Sequence, residues 1–383
     1  MSSDDPETSA ALQASGEPTL KKATQKARKQ IDQLFNISLH IAVTGESGTG
    51  KSSFINAIRE LDHDDEGAAK TGVTETTTEP RSYEHPTMPN VILWDLPGIG
   101  TPKFKARRYL KTMEFSRYDF FIIISSERFK ENDILLAKEI KKRKKLFYFV
   151  RSKIDNDIRA EEKKKGFDRE ETLSRIRINC RENLKEIDNP KVFLISSEDI
   201  KAFDFEKLIE TLMSDLPQHK QSALLQSVPI TSIAILKRKV KMFEKAAWAA
   251  ALCSGAIAAA PVPGLSVACD ATILVAFFTR CYYSFGLDDK SLKKLSERVN
   301  KPELESFIKS PLVVALATRS TARVSVSAVA GGAVLEYLCS LVPGVGSAAA
   351  AGVSFVCTLT LLKNGLNELE HAALKLLKEA GLE

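Results

Sequence analysis

Metal-binding and disulfide chemistry has little support in this sequence. Its 383 residues include six cysteines, and none of them forms a C-x-x-C pair or another spacing typical of metal ligands. Five of the six lie in apolar surroundings, where a reduced cysteine behaves as a small hydrophobic residue. We therefore expect a protein of a reducing compartment, with thiols at Cys180, Cys253, Cys269, Cys281, Cys339 and Cys357.

Targeting signals and a strong charge bias are also missing. The sequence shows no secretory signal peptide and no C-terminal prenylation cysteine, and Ser2 stands where N-myristoylation requires glycine. A net charge of +6 is too small and too interspersed to indicate a nucleic-acid partner, although it permits weak attraction to an anionic membrane surface. With 44% hydrophobic and 27% charged residues, wholesale disorder is excluded. We expect a globular cytoplasmic protein without a lipid anchor, able to associate with membranes.

One phosphate-binding motif stands out early in the sequence. It fits the pattern G-x-x-x-x-G-K-S, follows an apolar run at 39–43 that predicts a strand, and precedes apolar residues at helical spacing. Glycines in such a loop let backbone N–H groups surround a phosphate, and the following helix N-terminus adds positive partial charge. We expect Lys51 to reach the β- and γ-phosphates and the Ser52 hydroxyl to bind Mg²⁺. The expected nucleotide-binding residues of this P-loop are Gly45, Glu46, Ser47, Gly48, Thr49, Gly50, Lys51, Ser52 and Ser53.

Two later motifs indicate the rest of a nucleotide site. A D-x-x-G motif runs from Asp95 to Gly98; its aspartate would hold Mg²⁺ through water, and the Gly98 N–H would contact the γ-phosphate. Residues 152–155, Ser-Lys-Ile-Asp, resemble the guanine-reading motif N-K-x-D. Asp155 would accept two hydrogen bonds, from guanine N1–H and from the 2-amino group. Adenine has no equivalent donors, so it would leave this carboxylate unpaired.

The neighbours of Asp155 complete the expected base site. Lys153 would lie over the base plane. Ser152 replaces the usual asparagine, a change that we expect to weaken the bracing of the loop more than the choice of base. Ser196 and Ser197 follow the last predicted strand, where a backbone N–H normally meets guanine O6. Four motifs in this order on strand ends favour GTP and GDP over adenine nucleotides.

Strand-like apolar runs alternate with helical patterns between residues 38 and 217. This alternation predicts an α/β fold, a Ras-like P-loop GTPase domain with a mostly parallel sheet, over 38–217. Residues 1–18 are polar and predict a disordered tail, whereas 19–37 predict an N-terminal helix. Residues 218–383 predict only helices, so the second domain is all-helical. The expected strands are 39–43, 91–94, 120–125, 146–150 and 192–195.

Two uncharged stretches, 246–269 and 337–362, raise the question of membrane contact. Each has a Pro-Gly break near its middle, so neither supplies the roughly 20 consecutive apolar residues that a simple span needs. Their many Ala, Gly and Ser residues also make them only weakly hydrophobic. Two interpretations stay open. The stretches are closely packed helices in the core of the helical domain, or they are re-entrant or interface-lying hairpins that attach the protein to a membrane.

At these motifs the sequence resembles the immunity-related GTPase family, the interferon-inducible GTPases of vertebrates. The resemblance covers 20 to about 217 closely and rests on the stretches 45–56, 65–73, 94–100, 118–125 and 147–151. It implies that the N-terminal helix and the C-terminal segment form one helical domain beside the GTPase domain. It also implies GTP hydrolysis on dimerisation through the GTPase domain, binding to intracellular membranes, and a role in cell-autonomous innate immunity.

The resemblance leaves the water-orienting group open. By its spacing, the family's switch I threonine, which closes over Mg²⁺, matches Thr77, with Thr76 and Thr78 adjacent. Ile99 follows the D-x-x-G motif, where Ras-like enzymes place the glutamine that orients water, so we expect slow intrinsic hydrolysis. Glu46 in the P-loop is one candidate for the missing group, and a second subunit is the other.

Two functions are therefore open. The first is a Mg²⁺-dependent GTP hydrolase that works as a switch or assembly unit on membranes. Its expected catalytic residues are Lys51, Thr77 and Glu46, and its expected metal ligands are Ser52, Thr77 and, through water, Asp95. The second is a GTP-binding scaffold with negligible turnover that acts through its helical domain. The isoleucine after the D-x-x-G motif favours the second function, whereas the intact P-loop lysine favours the first.

Overall fold

A computed structural model describes residues 6–72, 79–99, 106–200, 202–258, 265–306, 310–321 and 355–382. The chain divides into two compact units. We call Ser38–Val228 the sheet unit, and Met1–Ile37 with Pro229–Glu383 the helical unit. The N-terminal helices thus share a unit with the C-terminal segment. The sheet unit ends at 228 and not at the predicted 217, because the helix Gln218–Ser227 packs on two strands of the sheet.

Six strands of the sheet unit form one sheet, in the order β2-β3-β1-β4-β5-β6. They are β1 Leu39–Gly45, β2 Arg81–Glu84, β3 Val91–Asp95, β4 Phe120–Ser125, β5 Leu146–Arg151 and β6 Val192–Leu194. Neighbouring strands run parallel, except that β2 is antiparallel to β3. β4 is buried at every position, as its unbroken apolar run requires of a strand covered on both faces. The predicted α/β fold with a mostly parallel sheet is confirmed.

The sequence pattern does not predict β2. Its four residues, Arg-Ser-Tyr-Glu, offer no apolar face, and none of them is buried. Among the strands that the structure describes, β2 lies at the edge of the sheet and pairs with β3. Such a strand is held by backbone hydrogen bonds, so hydrophobic periodicity carries no signal for it.

Helices connect the strands of the sheet unit and build the described part of the helical unit. Two short 3₁₀ helices, Phe115–Arg117 and Pro302–Ser306, add to them. In chain order the α-helices are α1 Pro6–Ser15, α2 Leu20–Phe35, α3 Lys51–Ile58, α4 Ala106–Thr112, α5 Glu131–Lys142, α6 Ile154–Glu161, α7 Arg169–Asn183, α8 Phe205–Asp215, α9 Gln218–Ser227, α10 Ile233–Ala258, α11 Leu265–Ser284, α12 Asp289–Val299, α13 Pro311–Thr321 and α14 Phe355–Glu379.

The N-terminus differs from the expected disordered tail at 1–18. Residues 1–5 lie outside the described part of the chain, but α1 follows directly. Its Ala11 is only 2% exposed and belongs to the core of the helical unit. Alanine and leucine favour helix, and packing against α2 adds the burial that a short helix needs in order to persist. The polar composition of 1–18 predicts disorder, but the few apolar residues of α1 are enough to pack it.

The core of the helical unit is built around α10, which packs against α2, α11 and α14. Small residues contribute to this core, and Ala23, Ala27 and Ala247 are fully buried in it. Gly365 marks another close approach, because a Cβ at this position would lie 2.5 Å from the Phe278 ring. Tight helix packing therefore explains part of the alanine and glycine content that the sequence shows after residue 217.

The two uncharged stretches lie only partly in the described residues. In the first, 246–269, residues 246–253 are buried in the core of the helical unit apart from a partly exposed Trp248, and 259–264 lie outside the described part. In the second, 337–362, only 355–362 are described, at the start of α14. Across the described residues, no helix combines the length and the apolar character needed to cross a membrane.

Candidate functional site

The P-loop joins the end of β1 to the start of α3, as its sequence motif predicts. Gly45 adopts φ +146°, and a Cβ here would lie 2.1 Å from the carbonyl oxygen of Ile124 on the neighbouring strand. Gly50 caps α3 in a left-handed conformation with φ +87°. Only glycine fits the first position without moving β4, and glycine is the residue that adopts the second without strain. The loop can therefore curve back over the N-terminus of α3.

Lys51 opens α3 and turns its ammonium group into the curve of the loop. Its Nζ donates to the carbonyl oxygens of Gly45, at 3.3 Å, and of Glu46, at 2.8 Å. The residue is only 8% exposed, so the charge is held inside the site. A buried ammonium beside backbone N–H groups at a helix N-terminus favours an anionic ligand such as phosphate.

Ser52 and Asp95 meet at the predicted metal position. The Ser52 hydroxyl donates to Asp95 Oδ2 at 2.7 Å. Asp95 is fully buried at the end of β3, where it pairs in register with Val43 of β1. A hydroxyl and a carboxylate are oxygen donors of the kind that Mg²⁺ prefers, and Mg²⁺ typically keeps several waters beside one or two such groups. The residues present therefore fit this ion.

Asp95 ends β3, and the residues after it have no regular secondary structure. We call 95–99 the D-x-x-G loop. Ile99 is fully buried, and its N–H donates to the Gly45 carbonyl at 3.3 Å. Its own carbonyl accepts a hydrogen bond from Asn132 Nδ2 at 2.9 Å. The isoleucine side chain thus packs inward as a core residue. It has no polar group with which to orient water.

The S-K-I-D motif contacts the P-loop directly. The buried Ser152 hydroxyl donates to the Thr49 carbonyl at 2.7 Å and also lies 3.3 Å from the Ser125 carbonyl. Lys153 takes a left-handed conformation with φ +58°, and its Nζ donates to the Gly48 carbonyl at 2.8 Å. Serine at the asparagine position therefore braces the P-loop through its hydroxyl, and weaker bracing than asparagine would give stays a prediction.

Asp155 lies in the first turn of α6, immediately after these bracing residues. Its side chain is 19% exposed, and Oδ2 lies 3.8 Å from Arg159 Nη2 one turn along the helix. Ser196 lies on the neighbouring turn; its hydroxyl accepts from the N–H groups of Glu198, at 3.1 Å, and Asp199, at 3.2 Å. The α6 N-terminus is joined to this turn by the Ile154 N–H, 3.5 Å from the Ile195 carbonyl.

Arg151 is hydrogen-bonded to the base motif, and no sequence pattern predicts this role. Its guanidinium donates to the Ser152 carbonyl at 2.6 Å and forms a 2.6 Å ion pair with Asp157. Burial raises the pKa of Asp157, and the charge of Arg151 opposes that rise. An arginine at the end of an apolar strand predicts no particular partner, so this pair could be found only in the fold.

Glu46 points toward α5. Its Oε2 forms a 2.5 Å ion pair with Lys130 Nζ, and this hydrogen bond raises the pKa of Lys130. The buried Asp133 lies on the same helix, and burial raises its pKa to about 6, with the nearby charge of Glu46 contributing. In this arrangement Lys130 pairs with Oε2 of the Glu46 carboxylate and competes with water for that oxygen.

The structure brings most of the predicted site residues together. The P-loop, Asp95, Lys153 and Ser152 are joined by direct hydrogen bonds. Asp155 lies in the first turn of α6, and Ser196 lies on the turn that a hydrogen bond joins to the start of α6. Ser47 is exposed, and Ser53 and Ser197 are partly exposed. Thr77, with Thr76 and Thr78, lies outside the described residues.

Comparison with known proteins assigns a family to this arrangement. The sequence model described as "Interferon-inducible GTPase (IIGP)" matches residues 7–342. Interferon-inducible GTPase 5 of Rattus norvegicus is 40% identical over 361 residues, which cover 92% of this chain and 78% of the relative. Interferon-inducible GTPase 1 of Mus musculus is 41% identical over 299 residues, which cover 76% of this chain and 71% of the relative.

Solved structures resemble the chain only in part. The crystal structure of Era with MgGDPNP and a 16S ribosomal RNA fragment has a TM-score of 0.32 and 18% sequence identity. The match covers 48% of this chain and 58% of that chain. A score this low supports no further argument.

Proposed function

The chain belongs to the interferon-inducible GTPase family, and from this premise we propose that it is a slow, Mg²⁺-dependent GTP hydrolase activated by a second copy of itself. Membership makes it a GTP-binding GTPase. The names of its relatives link them to interferon. We propose that this chain likewise serves innate immunity, as a nucleotide-dependent switch or assembly unit.

The fully buried Ile99 is the observation that carries the proposal. In Ras-like enzymes a glutamine at this position orients the attacking water. Here the side chain packs in the core of the sheet unit, and the backbone on both sides is held by Gly45 and Asn132. Glu46, the candidate in the same chain, is engaged by Lys130. Hydrolysis by one copy alone should therefore be slow.

Mg²⁺ would be held by Ser52 directly and by Asp95 through water, with Thr77 closing over it once GTP is bound. The 2.7 Å contact between the Ser52 hydroxyl and Asp95 supports this role. When bound, the ion would neutralise charge on the β- and γ-phosphates. Lys51, Thr77 and Glu46 remain the proposed catalytic residues.

Turnover measured against protein concentration tests the dimer. The rate per molecule should rise over roughly two orders of magnitude in concentration, because association supplies the missing group by mass action. Glu46→Ala, assayed in the same series, asks whether Glu46 contributes to that group. If the rate per molecule is measurable but does not change with concentration, and Glu46→Ala abolishes it, then activation by a second copy is wrong. Catalysis would then take place within one chain.

The scaffold without turnover is the second candidate, and the same buried isoleucine favours it. It predicts tight GTP binding with negligible hydrolysis at every protein concentration. The concentration series therefore separates the two functions.

Membrane association belongs to the same proposal and rests on the two uncharged stretches. If they attach the protein to intracellular membranes, the full chain should co-sediment with anionic liposomes and stay bound in high salt, because apolar burial is not screened. The basic cluster Lys141, Lys142, Arg143, Lys144 and Lys145 would give a different result, since contact through it would be lost at about 1 M salt, where the Debye length is about 3 Å. A full chain that stays in the supernatant would contradict membrane attachment and leave the GTPase assignment intact.

A further inference from the structure

Tyr109, which belongs to none of the sequence motifs, is hydrogen-bonded to the D-x-x-G loop. The Tyr109 hydroxyl, on α4, donates to the Pro97 carbonyl at 2.8 Å and lies 3.0 Å from Thr44 Oγ1. A phenol has one proton, and a carbonyl can only accept. The Thr44 hydroxyl therefore donates to Tyr109, and Tyr109 donates to Pro97. Thr44 is fully buried directly before Gly45, so this chain of hydrogen bonds links the loop to the start of the P-loop.

The Tyr109 hydroxyl stays a donor throughout the physiological pH range. The residue is partly exposed as a whole, but its hydroxyl is hydrogen-bonded to both Thr44 and the Pro97 carbonyl. Burial raises the pKa of Tyr109 well above its usual value, and the hydrogen bond from Thr44 opposes that rise only in part. The hydrogen bond to Pro97 therefore does not change with pH over the physiological range.

Asn132 is hydrogen-bonded to the same loop at Ile99, two residues after Pro97. Its Nδ2, on α5, donates to the Ile99 carbonyl at 2.9 Å. Between the Pro97 and Ile99 carbonyls, the Ile99 N–H donates to the Gly45 carbonyl at 3.3 Å. Three peptide groups in a row around Gly98 are thus hydrogen-bonded to separate elements. The Pro97 carbonyl is held by α4, the Ile99 N–H by the P-loop and the Ile99 carbonyl by α5.

These contacts determine where the Gly98 N–H points. A peptide unit is planar and trans, so the carbonyl of one residue and the N–H of the next point in opposite directions. Holding the Pro97 carbonyl on Tyr109 therefore aims the Gly98 N–H away from α4. A glycine has a wide range of backbone conformations, so without such restraints this amide would have many orientations.

We propose that Tyr109 and Asn132 are positioning residues that hold the Gly98 amide ready for the γ-phosphate and so raise the affinity for GTP without changing that for GDP. This role rests on the proposed function of the D-x-x-G loop. Neither side chain need touch the nucleotide. GDP lacks the γ-phosphate, so its affinity should not depend on them. A preorganised N–H gives more binding energy than one that must be ordered on binding.

Tyr109→Phe and Asn132→Ala test the proposal, with GDP and a non-hydrolysable GTP analogue titrated in Mg²⁺ by calorimetry. Each variant should bind GDP like the wild type and bind the analogue about threefold to tenfold more weakly, the usual range for one lost hydrogen bond. The double variant should lose less than the product of the two effects, because both residues restrain one loop.

Two matched controls remove similar hydrogen bonds elsewhere in the sheet unit. Tyr148→Phe deletes a buried hydroxyl that donates to Asp215 at 2.7 Å, and Asn183→Ala deletes an amide that donates to the Asn179 carbonyl at 2.6 Å. Both controls should keep the wild-type ratio of affinities.

The outcomes separate this role from general damage and from failure of the proposed function. An unchanged ratio in both test variants would overturn the positioning role, and so would an equal loss of both nucleotides, which indicates a disturbed pocket. If Asn132→Ala does not fold, Tyr109→Phe alone decides, since it removes a single oxygen. A wild-type chain that binds neither nucleotide would overturn the proposed function itself, and the positioning role with it.

Discussion

Replacing Lys51 by alanine should lower the affinity of the chain for GDP and GTP by roughly 10²- to 10⁴-fold. The ammonium lies in the curve of the P-loop, held by the carbonyls of Gly45 and Glu46. From there it can donate charge-assisted hydrogen bonds to phosphate oxygens, each worth about 1.5–3 kcal/mol. Two such bonds correspond to the expected loss. Calorimetric titration of the variant with each nucleotide measures it.

Lys138→Ala is the matched control for this change. Lys138 is an exposed lysine of α5 whose Nζ pairs with Glu186 at 2.5 Å. The control should bind both nucleotides like the wild type, because exposed ion pairs contribute little. Near wild-type nucleotide affinity in Lys51→Ala would remove the phosphate-binding role from this loop.

Replacing Asp155 by asparagine should move the base preference from guanine toward xanthine, with a relative change of roughly 10²- to 10⁴-fold. The carboxylate accepts hydrogen bonds from guanine N1–H and from its 2-amino group, at about 1.5–3 kcal/mol each. Asparagine offers an N–H instead, and xanthine carries an oxygen at C2 that can accept it. Competition between GDP and XDP for each variant gives the ratio directly.

Glu161→Gln controls for the loss of one negative charge on α6. Glu161 ends this helix, where it pairs with Lys164 at 2.5 Å and with Arg175 at 3.4 Å. This variant should keep the wild-type preference for GDP over XDP. If Asp155→Asn keeps it as well, then the Ser-Lys-Ile-Asp motif does not read the base.

The parts of the site that the sequence predicts well are contiguous motifs next to strong strands. The P-loop follows β1, and the D-x-x-G loop follows β3, because glycine geometry and buried apolar runs are local properties of the chain. Parallel pairing of β1 with β3 and β4 then brings the carboxyl ends of the strands together. Adjacency of the motifs in space thus follows from the predicted fold.

The parts that the sequence does not predict depend on contacts between distant residues. Tyr109 and Asn132 lie on separate helices, and nothing in their neighbours marks them as partners of residues 97 and 99. The Glu46–Lys130 pair joins residues 84 positions apart. Side-chain pairs of this kind follow from the packing of α4 and α5 against the sheet, which no local pattern encodes.

Ser152 is a departure from the guanine-reading motif whose contacts the sequence does not specify. The replacement of asparagine predicts weaker bracing, because a hydroxyl has fewer hydrogen-bonding groups than an amide. In the structure the hydroxyl still reaches the Thr49 carbonyl at 2.7 Å, and Lys153 reaches Gly48 beside it. Both residues thus contact the P-loop, and the weaker bracing expected from serine stays a prediction.

Calorimetric titration of the full chain with GDP and with ADP, each in Mg²⁺, tests guanine-nucleotide binding most directly. We expect GDP to bind at a single site and ADP to bind roughly 100-fold more weakly or worse, because adenine leaves the Asp155 carboxylate without its two donors. Equal affinity for the two nucleotides, or no binding of either, would contradict the assignment of the P-loop and the Ser-Lys-Ile-Asp motif to a guanine-nucleotide site.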